Sequence, residues 1–320
     1  MAYASGDTIT ADQFNEFVSS TSDPFGFNHF AGTGSGVYGL GQTEIQTVTA
    51  GATTITAAQF NALFTGMINV GNHVNDSLTA RTAVAAGDEI AVKSAVIADL
   101  ASLAAEVAAG STSATALGTN AVGSSTNGST FNDTSTIERS VTFASADKLR
   151  HFFNAGGKIR VDPSCTTGID GDKDTVFNDL TTTAIGNLDI AAQASTRSGS
   201  GETLTTDGLA RGFHDLTSSY QTIIKLTSDN SGYTSNTVEI SAKLNDSIGT
   251  ATVLTVKMVS VDGAGDDTFT AGNTDSVPAN PNEAPAMTMA LIEVFPTDAQ
   301  GLEDNIQSAS NAEVSNTATS

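Results

Sequence analysis

Asp170, Asp172 and Asp174 alternate in GIDGDKDT, and they are the first side chains of this sequence whose type and spacing suggest chemistry. Calcium takes several oxygen ligands on a flexible turn, and alternating carboxylates supply them. The likeness to an EF-hand loop stops there, because Thr175 stands where such a loop needs glycine and Thr181 where it needs glutamate. A solvated turn that opens a helix is the stronger reading, and the three aspartates stay as candidate calcium ligands. Asp262, Asp266 and Asp267 in VDGAGDDT read as turn residues. His29, His73, His151 and His214 are scattered and show no HExxH-type spacing. Cys165 is the single cysteine, so an intrachain disulfide and a Cys-rich zinc site are excluded. With no base beside it in sequence, it reads as a packed thiol. GTGSG at 32–36 and SGSGE at 198–202 lack the strand–helix context and the lysine of a phosphate loop. There is no GxSxG, and Ser and Thr are too abundant for a Ser/His/Asp trio to carry information. No catalytic residue, cofactor or further metal site is assigned, and the expectation is a protein that is not an enzyme.

The remaining residues of interest concern assembly. Lys158 and Arg160 alternate in KIRVD, so they share one face of a strand. In an acidic chain such a pair suits a carboxylate on a neighbouring copy, against the plainer reading of sheet-surface charge. A phrase near the start is written twice. GDTITADQFNEF at 6–17 returns as GATTITAAQFNALF at 51–64, so that Thr10, Gln13, Phe14 and Asn15 recur as Thr56, Gln59, Phe60 and Asn61. Thr followed three residues later by Gln is a capping box, and Ile before it with Phe after it can close a hydrophobic staple. Gln13, Phe14, Gln59 and Phe60 are therefore expected in a duplicated docking element. In the helix expected over 88–109, the apolar stripe through Leu100 and Leu103 is the expected self-association surface, flanked by small Ala and Ser.

These positions need elements to hold them. Helices are expected over 11–19 and 57–75, with a short strand in EIQTVTA between them. Residues 111–136 are low-complexity and read as a linker. Beyond it come a strand in IERSVTF, a short helix in ADKLRHFFNA stopped by Gly156, the KIRVD strand and a helix over 172–184. Four β-rich runs, in YQTIIKLTS, TVEISAKLND, TATVLTVKMVSV and APAMTMALIEVF, suggest an antiparallel layer. The fold class expected is α+β. A helical docking and oligomerisation region (1–110) and the linker (111–136) precede an α+β to β-rich domain (137–320) that ends sandwich-like.

Composition bounds the partners. Thirteen Lys and Arg against 35 Asp and Glu give a formal net charge of −22. Nucleic acid and anionic membrane are thereby disfavoured as partners. Such a surface suits saline surroundings, where screening removes self-repulsion. The N-terminus lacks the basic and apolar regions of a signal peptide, and no 18-residue apolar run exists, so neither secretion nor a membrane span is expected.

Three stretches together resemble a known family. They are the doubled GxTITAxQFN phrase, LRHFFNAGGKIRVDPSCTTGIDGDKDTVFNDL at 149–180, and GFHDLT…YTSNTVEISAKLND…TVLTVKMVSVDG at 212–263. The pattern is similar to virion structural proteins from tailed phages of marine cyanobacteria and other aquatic bacteria. Members often carry Trp where this chain has Phe60 and Phe177. The resemblance implies a non-enzymatic component of a neck, collar or tail, present in many copies in the virion and contacting itself and other virion proteins. A receptor- or carbohydrate-binding fibre module and a capsid decoration protein are the alternatives.

Overall fold

The computed structural model describes residues 9–22, 25–32, 42–52, 54–73, 76, 78–88, 93–112, 117–127, 131, 133–154, 156–166, 172–263, 286–296 and 310–319. The class is α+β, and the chain divides into two compact units. The first draws on Met1–Leu117, Arg150–Gly156 and Phe295–Ile306, the second on Gly118–Leu149, Gly157–Val294 and Gln307–Ser320.

The first unit is helical. The helices are α1 (Ala11–Ser19), α2 (Ala57–His73) and α3 (Lys93–Thr112), and the described residues between α1 and α2 include a 3-10 turn at Phe27–His29 and the extended run 42–49. Both copies of the repeated phrase start a helix. The Gln13 amide N–H donates to Thr10 Oγ1 at 3.3 Å while Gln13 Oε1 accepts from the Thr10 N–H at 2.9 Å, and Gln59 with Thr56 repeats both distances. Each box satisfies donors that a helix start leaves open, typically contributing about 1 kcal/mol. The phenylalanines that follow meet in the core, where Phe14 and Phe60 pack edge to face with centroids 5.2 Å apart. Phe17, Leu63, Met67, Val96, Leu100 and Leu103 close round them.

α4 (Ala146–Asn154) takes its N-terminal bond from Ser145, whose Oγ accepts from the Lys148 N–H at 3.2 Å. Gly156, at φ 91°, follows it. α5 (Asp172–Asn178) runs on as a wider π-helical turn, Asp179–Ile185, where the Thr181 hydroxyl donates to the Phe177 carbonyl at 2.7 Å.

The strands of the second unit are β1 (Leu117–Thr126), β2 (Thr134–Thr142), β3 (Lys158–Cys165), β4 (Leu188–Ile190), β5 (Ser195–Arg197), β6 (Thr203–Asp207), β7 (Gln221–Thr227), β8 (Thr237–Leu244), β9 (Val253–Val261), β10 (Met287–Pro296) and β11 (Ser310–Thr319). They form two sheets, ordered β1-β10-β3-β4-β5 and β11-β2-β9-β8-β7-β6. Alternation sorts the six-stranded sheet into two faces. Ile137, Met258 and Ile240 line up across β2, β9 and β8, as do Val256 with Ala242 and Leu254 with Leu244, and all are buried. The other face pairs Glu138 with Lys257 and Lys225 with Glu239.

The 111–136 linker of the sequence reading is corrected here, since β1 and the start of β2 lie within it. Sheet neighbours supply the order that LGTNAVGSST lacks by propensity. EIQTVTA is extended without joining a ladder, and β11 forms in a polar tail that shows little strand patterning. No helix among the described residues is long and apolar enough to cross a membrane.

Phe60 is 1% exposed between Phe14 and Phe17. Phe60→Ala should lower stability by about 3–5 kcal/mol through lost transfer energy and the cavity left behind. Chemical denaturation followed by circular dichroism checks this, and an unchanged midpoint refutes it.

Candidate functional site

The last recurring position of the doubled phrase, its asparagine, has a role that nothing local in the sequence assigns. On α1, Asn15 Oδ1 accepts from the Val48 N–H at 2.9 Å and Asn15 Nδ2 donates to the Val48 carbonyl at 2.9 Å. On α2, Asn61 makes the same pair with Val84, at 2.9 and 3.0 Å. Asn28, in the 3-10 turn, holds Ile45 in the same way, at 2.9 Å in both bonds. A carboxamide offers one acceptor and two donors. It can therefore satisfy both polar groups of one extended residue, as a neighbouring strand would.

Both segments held by the repeat share further features. Three residues after the clamped valine comes a glycine with positive φ, Gly51 at 73° and Gly87 at 94°. Each sits in a four-residue turn closed by the Ala52 N–H to Thr49 carbonyl bond in one case and the Asp88 N–H to Ala85 carbonyl bond in the other, both 3.1 Å. Glycine at the third position of such a turn is what a type II geometry needs. A further tie anchors the second segment, where Arg81 pairs with Asp99 of α3 and its guanidinium carbon lies 5.9 Å from the Phe64 ring centroid.

The expected interface residues are used inside the chain. Gln13 and Gln59 fold back onto their own helix starts, while Phe14, Phe60, Leu100 and Leu103 are at most 1% exposed. An apolar stripe requires burial but does not say against what, and here the chain's own helices cover it. Lys158 and Arg160 are corrected likewise. Arg160 forms a fork with Asp189 on β4, at 2.7 and 3.0 Å, and Lys158 Nζ lies 3.9 Å from the same carboxylate. Arg160 and Asp189 stand directly opposite in the β3–β4 register. The Asp189 hydrogen bond holds the Arg160 pKa above its ordinary value.

Of the candidate calcium ligands, Asp170 and the Asp172 side chain lie outside the described residues. Asp174 is 1% exposed within α5, which corrects the expected solvated turn. Its charge also reaches Cys165, whose thiol pKa is pushed up to about 12, mainly by burial and secondarily by Asp174. His29 stacks on Phe25 with centroids 3.9 Å apart, and burial lowers its pKa. His214 packs on Phe213, and the side chains of His73 and His151 lie outside the described residues. Among the described residues, no three His, Cys, Asp or Glu side chains are grouped to hold a metal. Comparison with protein-family models, with curated proteins and with solved structures returns no match.

Two outcomes follow from this geometry. Asn61→Ala leaves the Val84 N–H and carbonyl without partners and should cost about 1–3 kcal/mol. Amide exchange at Val84 should speed up while that at Val48, held by Asn15, stays slow. Equal acceleration at both would refute independent clamps. For Cys165, the raised pKa keeps the thiol protonated well beyond neutral pH. Alkylation of the folded chain should therefore stay slow and nearly flat from about pH 7 to 9, and rise with pH only after unfolding.

Proposed function

We propose that this chain is a non-enzymatic virion structural protein of a tailed phage, built in many copies into the neck, collar or tail. The observation that carries the reading is the duplicated phrase at work. The sequence invests its most distinctive residues, Thr10, Gln13, Phe14 and Asn15 with their counterparts Thr56, Gln59, Phe60 and Asn61, in starting, packing and clamping helices. The same phrase and the FFNAGGKIR block carry the resemblance to virion proteins. In this reading the helical unit docks on the particle, and the two sheets form a sandwich-like body that projects from it. The surface of the assembled copies is strongly acidic and suits saline surroundings, and the partners are further copies and neighbouring virion proteins.

Docking by the first unit cannot be tested by deleting residues 1–80. That cut would remove Phe14 and Phe60 and uncover Val96, Leu100 and Leu103. The test uses the intact chain. Particles purified by density gradient should contain it in several copies, counted by quantitative mass spectrometry, and antibody–gold label should mark the neck or tail. Recovery only from the particle-free fraction would overturn the proposal, and label confined to the capsid shell would shift it to a decoration protein.

A further inference from the structure

We infer that the outward face of the six-stranded sheet, at Lys243 and Lys257, is a docking surface for an acidic segment of a second copy of this chain. The inference rests on the multi-copy reading above. Its starting point is how the few cations are used. With 35 Asp and Glu against 13 Lys and Arg, a cation without an oxygen partner is the exception to be explained. Arg81, Lys158, Arg160 and Lys225 each have a carboxylate. Arg139, Arg197 and Arg211 donate to main-chain carbonyls of Ser124, Ala184 and Thr222. Lys148 and Arg150 also have partners, and the side chains of Lys93 and Lys173 lie outside the described residues.

Lys243 and Lys257 differ from all of these. Among the described residues neither has an ion pair or a hydrogen-bonded oxygen. Both ammonium groups converge instead on the ring of Tyr220, 4.3 and 4.0 Å from its centroid. Register explains the convergence. Lys257 faces Ser241 across β9 and β8, and Lys243 faces Thr255 two residues along, so the two lysines are diagonal neighbours on one face. Glu138 stands opposite Lys257 on β2 without closing an ion pair. The Tyr220 phenol is raised above its ordinary pKa, first by burial and then by Glu138, so it remains a neutral hydroxyl. The Ser241 hydroxyl, in a residue 2% exposed, is buried without a hydrogen-bond partner.

Two like charges held on one ring repel each other and attract an anion that can bridge them. The ring fixes their positions through cation–π attraction, and both side chains are half-buried, which strengthens a carboxylate contact relative to a fully solvated pair. The occupant follows from charge complementarity. It must be acidic, and the acidic surface nearest at hand in a multi-copy assembly is another copy, with a net charge of −22.

Sedimentation velocity on the full chain tests this, over a concentration series in about 0.1 M and about 1 M NaCl. Lys243→Gln with Lys257→Gln is compared with Lys148→Gln with Lys158→Gln, which removes the same amount of charge away from this face, Lys158 lying on β3 of the other sheet. The first variant should weaken self-association about tenfold or more, and the second should leave it close to wild type. Lys243→Arg with Lys257→Arg should retain it. About 1 M NaCl should narrow the gap between the wild type and the first variant, because it screens the lysine contact that separates them. Equal association in both glutamine variants, or a gap between the wild type and the first variant that about 1 M NaCl leaves unchanged, would overturn the surface and leave the multi-copy reading standing. A wild type that stays monomeric throughout would remove both. Should the first variant fail to fold by circular dichroism, Lys257→Gln alone, expected to weaken association, and the arginine variant, expected to retain it, decide.

Discussion

A segment of chain that is extended, buried and outside any sheet has polar backbone groups that something must satisfy. The helical unit depends on how that constraint is met. Ile45 and Val48 are 7% and 4% exposed, and both belong to the core. Their N–H and carbonyl groups would be costly to bury bare. Asn28 and Asn15 remove that cost with a carboxamide that mimics one rung of a ladder, and Asn61 does the same for the half-buried Val84. The clamps let a connector act as a packing element. Without them the connectors would move to solvent, and the helices would lose part of the apolar surface that brings Phe14 and Phe60 together.

What could be read from the sequence tracks the distance over which each signal acts. The helix starts at Thr10 and Thr56 were legible because a capping box lies within four residues. The partners of Asn15 and Asn61 lie 33 and 23 residues away, and nothing local points to them. Burial of Phe14, Phe60, Leu100 and Leu103 was also legible, but its direction was not. Periodicity says that a stripe is covered without saying whether the same chain or another covers it. Lys158 and Arg160 failed for the same reason. Their shared face was correct, whereas Asp189 came to it from a short strand, LDI, with no strong pattern of its own. β11 was missed because a polar segment on the rim of a sheet takes its order from its neighbour β2.

Comparing the two clamped segments exposes a third use of the same design, hidden because the phrase itself has decayed. VTAGATTI at 48–55 and VAAGDEI at 84–90 share the clamped valine and the glycine three residues later. Twelve residues after each valine stands a buried side chain, Phe60 in one and Val96 in the other. The next position is the clamp, Asn61, in α2, but it is Ile97 in α3, half-buried against the core. The third helix thus receives a clamped connector and carries an apolar residue where the others clamp the next one. Repetition is visible here at the level of geometry, since the turn, the valine and the packing residue persist after the QFN letters are gone.

The charge distribution has the same economy. Asp189 alone engages two of the chain's cations, and Asp99 engages Arg81 within the helical unit. Cations spent on internal ties cannot offset the remaining carboxylates, and each copy carries a formal net charge of −22. Two copies approaching each other meet a repulsion that acts over about a Debye length, roughly 10 Å at 0.1 M salt. Contacts within an assembly act over a few ångströms and depend on individual pairs. The long-range term is therefore set by the solution and the short-range term by which side chains remain unpaired. An acidic chain that keeps even two lysines out of its own ion pairs retains a local attraction that salt screening of the overall repulsion allows to act.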